Sequence, residues 1–141
     1  MNGAIRATGA EQGRALWLST LAFTLCFAVW TIFSIIGLSV KTELGLSEFQ
    51  YGLLIATPVL SGSLSRIILG VWTERFGGRL VFAVQMILAG IATWSLIWAG
   101  SYASWLIAAL GVGLAGGSFI IGVTYVSKWY PAGKQGTALG I

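Results

Sequence analysis

Arg66 stands in an otherwise uncharged apolar run, Val59-Leu-Ser-Gly-Ser-Leu-Ser-Arg66-Ile-Ile-Leu-Gly70. A guanidinium is permanently charged, and holding one near the centre of a bilayer costs roughly 2.5–3.5 kcal/mol even on insertion scales. Such a charge calls for a partner. No aspartate or glutamate falls inside the apolar stretches of this chain to supply one. A negatively charged solute fits the vacancy, and the residue points to an anion path through the membrane.

The surrounding composition requires that membrane. Of the 141 residues 57% are hydrophobic and only 9% charged, whereas soluble domains are about a quarter charged. There is no histidine, and Cys26 is the one cysteine, which excludes an intrachain disulfide and the common zinc and Cys–His sets. Cys26 reads as a small buried apolar residue. No cofactor or metal is expected. An enzyme is disfavoured, because the chain has no paired acids and no histidine base. The net charge of +4 comes from residues scattered at the ends of the apolar runs. That pattern suits anchoring at anionic lipid rather than nucleic acid.

Four stretches, at about 15–40, 49–72, 80–100 and 102–127, each reach the roughly 20 residues that cross a bilayer. The fold class is therefore all-α integral membrane. The first stretch is too long for a signal-peptide core and reads as a retained helix. Short connections, at Lys41–Glu48, Thr73–Arg79 and Gly100-Ser101, make the neighbours antiparallel. Arg6, Arg14, Arg75, Arg79, Lys128 and Lys134 fall on one side and only Lys41 on the other, which assigns the larger group to the cytoplasm. Trp17, Trp72, Trp129 and Tyr130 mark the inner interface; Tyr51, Trp98, Tyr102 and Trp105 mark the outer one. Residues 1–14 are then a cytoplasmic N-terminus, 15–130 hold the four spans, and 131–141 form a cytoplasmic loop and the start of a fifth helix. That start is too short to span, so the chain reads as the N-terminal part of a longer protein.

A competing reading has Arg66 snorkel to the cytoplasmic headgroups, since Trp72 lies six residues on, roughly 9 Å along the axis. The second span runs inward, however, and helical side chains lean towards their own N-terminus, which turns Arg66 to the midplane. Positions 52, 59, 62, 63, 66, 70 and 73 are expected to share one face and read Gly, Val, Gly, Ser, Arg, Gly, Thr. Small residues of this kind line a cavity or let helices approach closely.

Between the second and third spans lies Gly70-Val-Trp-Thr-Glu74-Arg75-Phe-Gly77-Gly78-Arg79, where Gly77-Gly78 supplies freedom for the reversal. An ordinary basic inner loop explains the arginines but not the spacing. The spacing resembles the loop signature of the major facilitator superfamily, Gly-x-x-x-Asp-Arg-x-Gly-Arg-Arg. Gly70, Arg75, Gly77 and Arg79 match; Glu74 replaces the aspartate and Gly78 replaces a basic residue. The resemblance implies that this loop helps latch a cytoplasmic gate.

In the fourth span, Gly111-x-Gly113-x-x-Gly116 has the form of a dinucleotide fingerprint but lacks the strand, the helix start and the acid that would support one. Gly113, Gly116 and Gly117 read instead as helix-packing positions. The longer run Gly113-Leu-Ala-Gly-Gly-Ser-Phe119 through Lys128-Trp-Tyr-Pro131-x-x-x-Gln135-Gly-Thr-Ala-Leu-Gly is similar to the nitrate/nitrite porter family within that superfamily. Leu44-Gly-Leu-Ser and Ala56-Thr-Pro-Val-Leu-Ser-Gly-Ser-Leu-Ser-Arg66 fit it too. The resemblance implies a carrier of twelve helices in two halves. It also implies that Arg66 binds the anion and that Phe119, twelve positions before Pro131, stacks on it. A phenylalanine that merely packs is the alternative. Nitrate or nitrite would be the solute, for which a planar guanidinium fork offers paired hydrogen bonds where lysine offers a point charge. Its partners would be the lipid bilayer and the remaining helices of the carrier, and its location the inner (plasma) membrane. A facilitator-type carrier of another small anion, such as a carboxylate, and a stand-alone four-helix membrane subunit remain the other readings.

Overall fold

A computed structural model describes residues 8–140; Arg6 and Ile141 lie outside the described residues. Within them every regular element is helical. Helices α1 (Gly9–Trp30) and α2 (Ile32–Leu44) meet at Thr31 and together form the first span. Helix α3 (Glu48–Phe76) is the second, and α4 (Gly78–Ser95) with a short 3₁₀ turn to Trp98 is the third. The fourth joins α5 (Tyr102–Gly113), a 3₁₀ turn (Leu114–Gly117) and α6 (Ser118–Trp129). Helix α7 (Ala132–Leu139) follows Pro131. All four spans are long and apolar enough to cross a membrane, which makes this a multi-pass membrane protein.

The helices overrun the apolar stretches, because Arg14, Glu43, Glu74 and Arg75 sit in end turns where charge meets water. The expected Thr73–Arg79 connection is corrected accordingly. It closes to Gly77 alone, whose φ of 88° and ψ of 142° suit a residue without Cβ. Gly78 is already helical, and its smallness serves packing: a Cβ there would meet the Tyr125 ring at 2.5 Å. Replacing Gly77 with alanine is expected to destabilise the hairpin by roughly 1–3 kcal/mol. An unchanged melting temperature of Gly77→Ala in detergent would dismiss that backbone argument.

Local signals fix the hairpin between the first and second spans. Gly45, at φ 59°, ends α2 in the left-handed conformation, and Ser47 caps α3 by accepting from the Gln50 amide at 3.3 Å. The Gln50 side chain accepts from the Ser47 amide at 3.1 Å, completing a capping box. Lys41 pairs with Glu48 across the turn. At the other end of the fourth span, Gln135 Nε2 donates to the carbonyls of Ser127 and Tyr130 at 2.8 and 3.0 Å. These carbonyls end a helix and have no further turn to bond them.

The fourth span touches the other three and forms the centre of the bundle. The buried core is small at mid-depth, where Cys26, Ala89 and Ala115 meet, and larger towards the ends, with Phe33, Leu54 and Val112 clustered at one and Phe82 and Ile121 at the other. Large apolar side chains such as Ile35, Ile67, Ile97 and Ile107 point outward. That distribution suits a lipid solvent, in which close approach rather than water exclusion drives helix packing.

The expected small-residue face of the second span is corrected as well. The stripe packed inward is Leu54, Thr57, Pro58, Gly62, Ser65, Leu69 and Thr73. Of the expected set only Gly62 and Thr73 are buried, whereas Gly52, Val59, Ser63 and Arg66 are exposed on the flank. The 3.6-residue turn places these beside the packed stripe rather than on it.

Candidate anion site

Pro58 lacks an N–H, so it leaves a gap in the hydrogen-bond ladder of α3 one turn back. Its own carbonyl accepts from Trp30 Nε1 at 3.1 Å. This tie holds the indole across the bundle at the junction of α1 and α2. Two turns beyond Pro58, Arg66 reaches over to the fourth span, where its Nε donates to the Gly116 carbonyl at 3.3 Å. Gly116 lies fourteen residues from Tyr102 and thirteen from Trp129, the ends of that span. The guanidinium is therefore held halfway along the fourth span.

The approach depends on glycine. A Cβ on Gly113 would lie 2.6 Å from the Pro58 carbonyl oxygen and 2.9 Å from its Cα. One on Gly116 would meet Trp30 Nε1 at 2.8 Å, and one on Gly117 would meet Ser65 Oγ at 2.9 Å. Gly62 is equally confined, since a Cβ there would lie 2.8 Å from the Gly113 carbonyl oxygen. The second and fourth spans thus pack backbone against backbone where Arg66 crosses.

Arg66 and Phe119 line the same cavity, of about 270 Å³, together with Phe23, Phe27, Trp30, Gly116 and Ser118. At about 30 Å³ per water, it has room for a small anion and several waters. Phe119 is half-exposed and tilts against Phe23 at 5.9 Å between centroids; Phe27 packs on Trp30 at 5.6 Å. Among the described residues no carboxylate lies within 4.0 Å of Arg66, and the ion pair formed is Lys41–Glu48, at the hairpin between the first and second spans. One fixed positive group faces an aromatic-walled space. Such a site can take a small anion, the guanidinium supplying charge and direction and the rings excluding water.

The loop residues form a separate group. Gly70 packs near Ile120, with a virtual Cβ distance of 3.4 Å, while Glu74, Arg75, Gly77 and Arg79 are exposed. Glu74 makes no ion pair among the described residues. Arg79 shares a cavity of about 290 Å³ with Glu11, Arg14, Tyr125 and Trp129.

Two residues escaped the sequence reading. Trp30 sits in mid-span, away from the interfaces where tryptophan concentrates, and that misplacement was its signal. Gln85 is an amide in the middle of an apolar run, which equally marks a polar residue with work to do in the membrane.

The Major Facilitator Superfamily model matches residues 18–141, and the chain belongs to that superfamily. Among individual relatives, it is 44% identical over 131 residues to the probable nitrate/nitrite antiporter NarK1 of Thermus thermophilus, covering 93% of this chain and 30% of that protein. It is 36% identical to the nitrite extrusion protein of Bacillus subtilis (93% of this chain, 33% of that one). It is also 33% identical to the probable nitrate/nitrite transporter NarK2 of Mycobacterium tuberculosis (97% and 34%). The chain thus spans about a third of the length of these curated relatives.

Proposed function

We propose that this chain is the N-terminal third of a nitrate/nitrite carrier of the inner (plasma) membrane, which binds its anion between Arg66 and Phe119. The observation that carries this reading is the guanidinium held at mid-span on the Gly116 carbonyl, in a cavity shared with Phe119. The names of the similar proteins support nitrate or nitrite as the solute. In this reading the exposed flank of the second span, with Val59, Ser63 and Arg66, faces the second helical half across a water-filled cleft. The two halves rock about the site to open it alternately to each side. Binding stays modest, because a carrier must also release.

Arg14, Arg75, Arg79, Lys128 and Lys134 gather at one end of the bundle and Lys41 at the other. The positive-inside rule then puts the N-terminus and the Gly77 hairpin in the cytoplasm. There Gly70, Glu74, Arg75, Gly77 and Arg79 act as the gate latch, Glu74 remaining available to the opposite half.

The test is competition. In the full-length carrier, nitrate and nitrite are expected to displace one another, while formate and acetate compete weakly. Stronger competition by the carboxylates would favour a carrier of small carboxylates at the same arginine. Phe119→Ala is expected to weaken nitrate binding roughly 2–10-fold through loss of the ring face, with expression unaltered. An unaltered affinity would return Phe119 to ordinary packing.

A further inference from the structure

The fourth span is not a continuous α-helix. Leu114–Gly117 tightens into a 3₁₀ turn at mid-depth, between α5 and α6. Such a turn shifts the carbonyls out of the ordinary ladder and makes them available to side chains. Three consecutive carbonyls are taken up in that way. Gln85 Nε2 from α4 donates to Leu114 at 2.7 Å and to Ala115 at 3.3 Å, and Arg66 Nε from α3 donates to Gly116 at 3.3 Å. Gln85 is 2% exposed, and its Oε1 has no hydrogen-bond partner among the described residues. A buried, half-satisfied amide in apolar surroundings is costly, so its donor end must matter more than its acceptor end.

The consequence runs to Arg66. A guanidinium has five N–H donors in one plane. With Nε committed to Gly116, the plane is set and the edge bearing the two terminal amino groups is left for a solute. The place of the Gly116 carbonyl depends in turn on the 3₁₀ turn that Gln85 holds from the opposite side. We propose that Gln85 is a positioning residue for the anion site: by pinning the Leu114–Gly117 turn, it fixes the acceptor that orients Arg66 and so aims the guanidinium fork at a planar oxyanion. This rests on the reading of Arg66 as the anion's partner.

The role separates from mere structural support by the kind of anion. Fork orientation matters for nitrate, which accepts through two oxygens, and hardly at all for bromide, a spherical anion that meets only the charge. In the full-length carrier, Gln85→Met keeps the side-chain length and removes the donor. It is expected to weaken nitrate binding about tenfold, the usual worth of one well-placed hydrogen bond to a charged group, while bromide binding stays within about twofold. Gln85→Asn keeps an amide on a shorter arm. It is expected to lower the nitrate-to-bromide affinity ratio by a smaller factor, and it serves as the test if the methionine variant does not fold. Combined with Arg66→Lys, Gln85→Met is expected to add little to the loss, because both act through one group.

An unchanged nitrate-to-bromide ratio in both Gln85 variants, with Arg66→Lys still impaired, would overturn this inference and leave Arg66 in place. Equal loss of both anions together with a lowered melting temperature would overturn it in favour of plain packing. Wild-type nitrate binding by Arg66→Lys alone would remove the underlying site instead.

Discussion

Arg66→Lys in the full-length carrier is expected to insert and fold normally yet lose nitrate uptake into proteoliposomes by roughly 10–100-fold at sub-saturating nitrate. The charge survives this substitution, so electrostatic attraction of the anion persists. What disappears is geometry. Lysine has no Nε–H to place on the Gly116 carbonyl and no planar fork to present to two oxygens. Its ammonium is also compact and strongly hydrated, which favours looser and water-separated contact. Uptake near wild-type would mean that any positive charge suffices, and the directional account of the site would fail.

The second large effect concerns architecture. Gly113→Val is expected to destabilise the bundle by at least about 1–3 kcal/mol, the usual cost of overpacking. The neighbouring atoms at 2.6 and 2.9 Å belong to the Pro58 backbone and cannot rotate away. Separating the spans to make room would also draw Gly116 away from Arg66 and Trp30. The measurement is the melting temperature in detergent, with Gly90→Ala as comparison, since nothing lies within 4 Å of a Cβ at Gly90. That control is expected to be neutral or slightly stabilising. Equal melting of Gly113→Val and wild type would show that the spans do not pack this closely.

These effects differ in how far the amino-acid order announced them. The four spans were plain from long apolar runs bounded by charge or, between the third and fourth, by the Gly100-Ser101 break, and the glycine density of residues 111–117 pointed to close packing. Arg66 declared itself as a lone charge in such a run. The face on which it sits was misjudged, for a physical reason: in lipid both faces of a helix are apolar, so the periodicity that separates core from surface in water is largely erased. Small residues then mark packing and cavity lining alike, and the packed stripe through Gly62, Ser65 and Leu69 could not be told from its neighbour. The single-residue reversal at Gly77 was hidden because charged residues are compatible with an end turn of helix as well as with a loop. Trp30 and Gln85 stand out in the sequence as an indole and an amide within apolar runs, but their partners, carbonyls on other spans at Pro58, Leu114 and Ala115, leave no local trace.

The most direct test of the central claim is a structure of the full-length carrier with nitrite or nitrate bound. The anion is expected within hydrogen-bonding distance of the Arg66 terminal amino groups and against the Phe119 ring, with Nε still on the Gly116 carbonyl. An anion bound elsewhere, or Arg66 engaged by an acidic side chain of the second half, would contradict it.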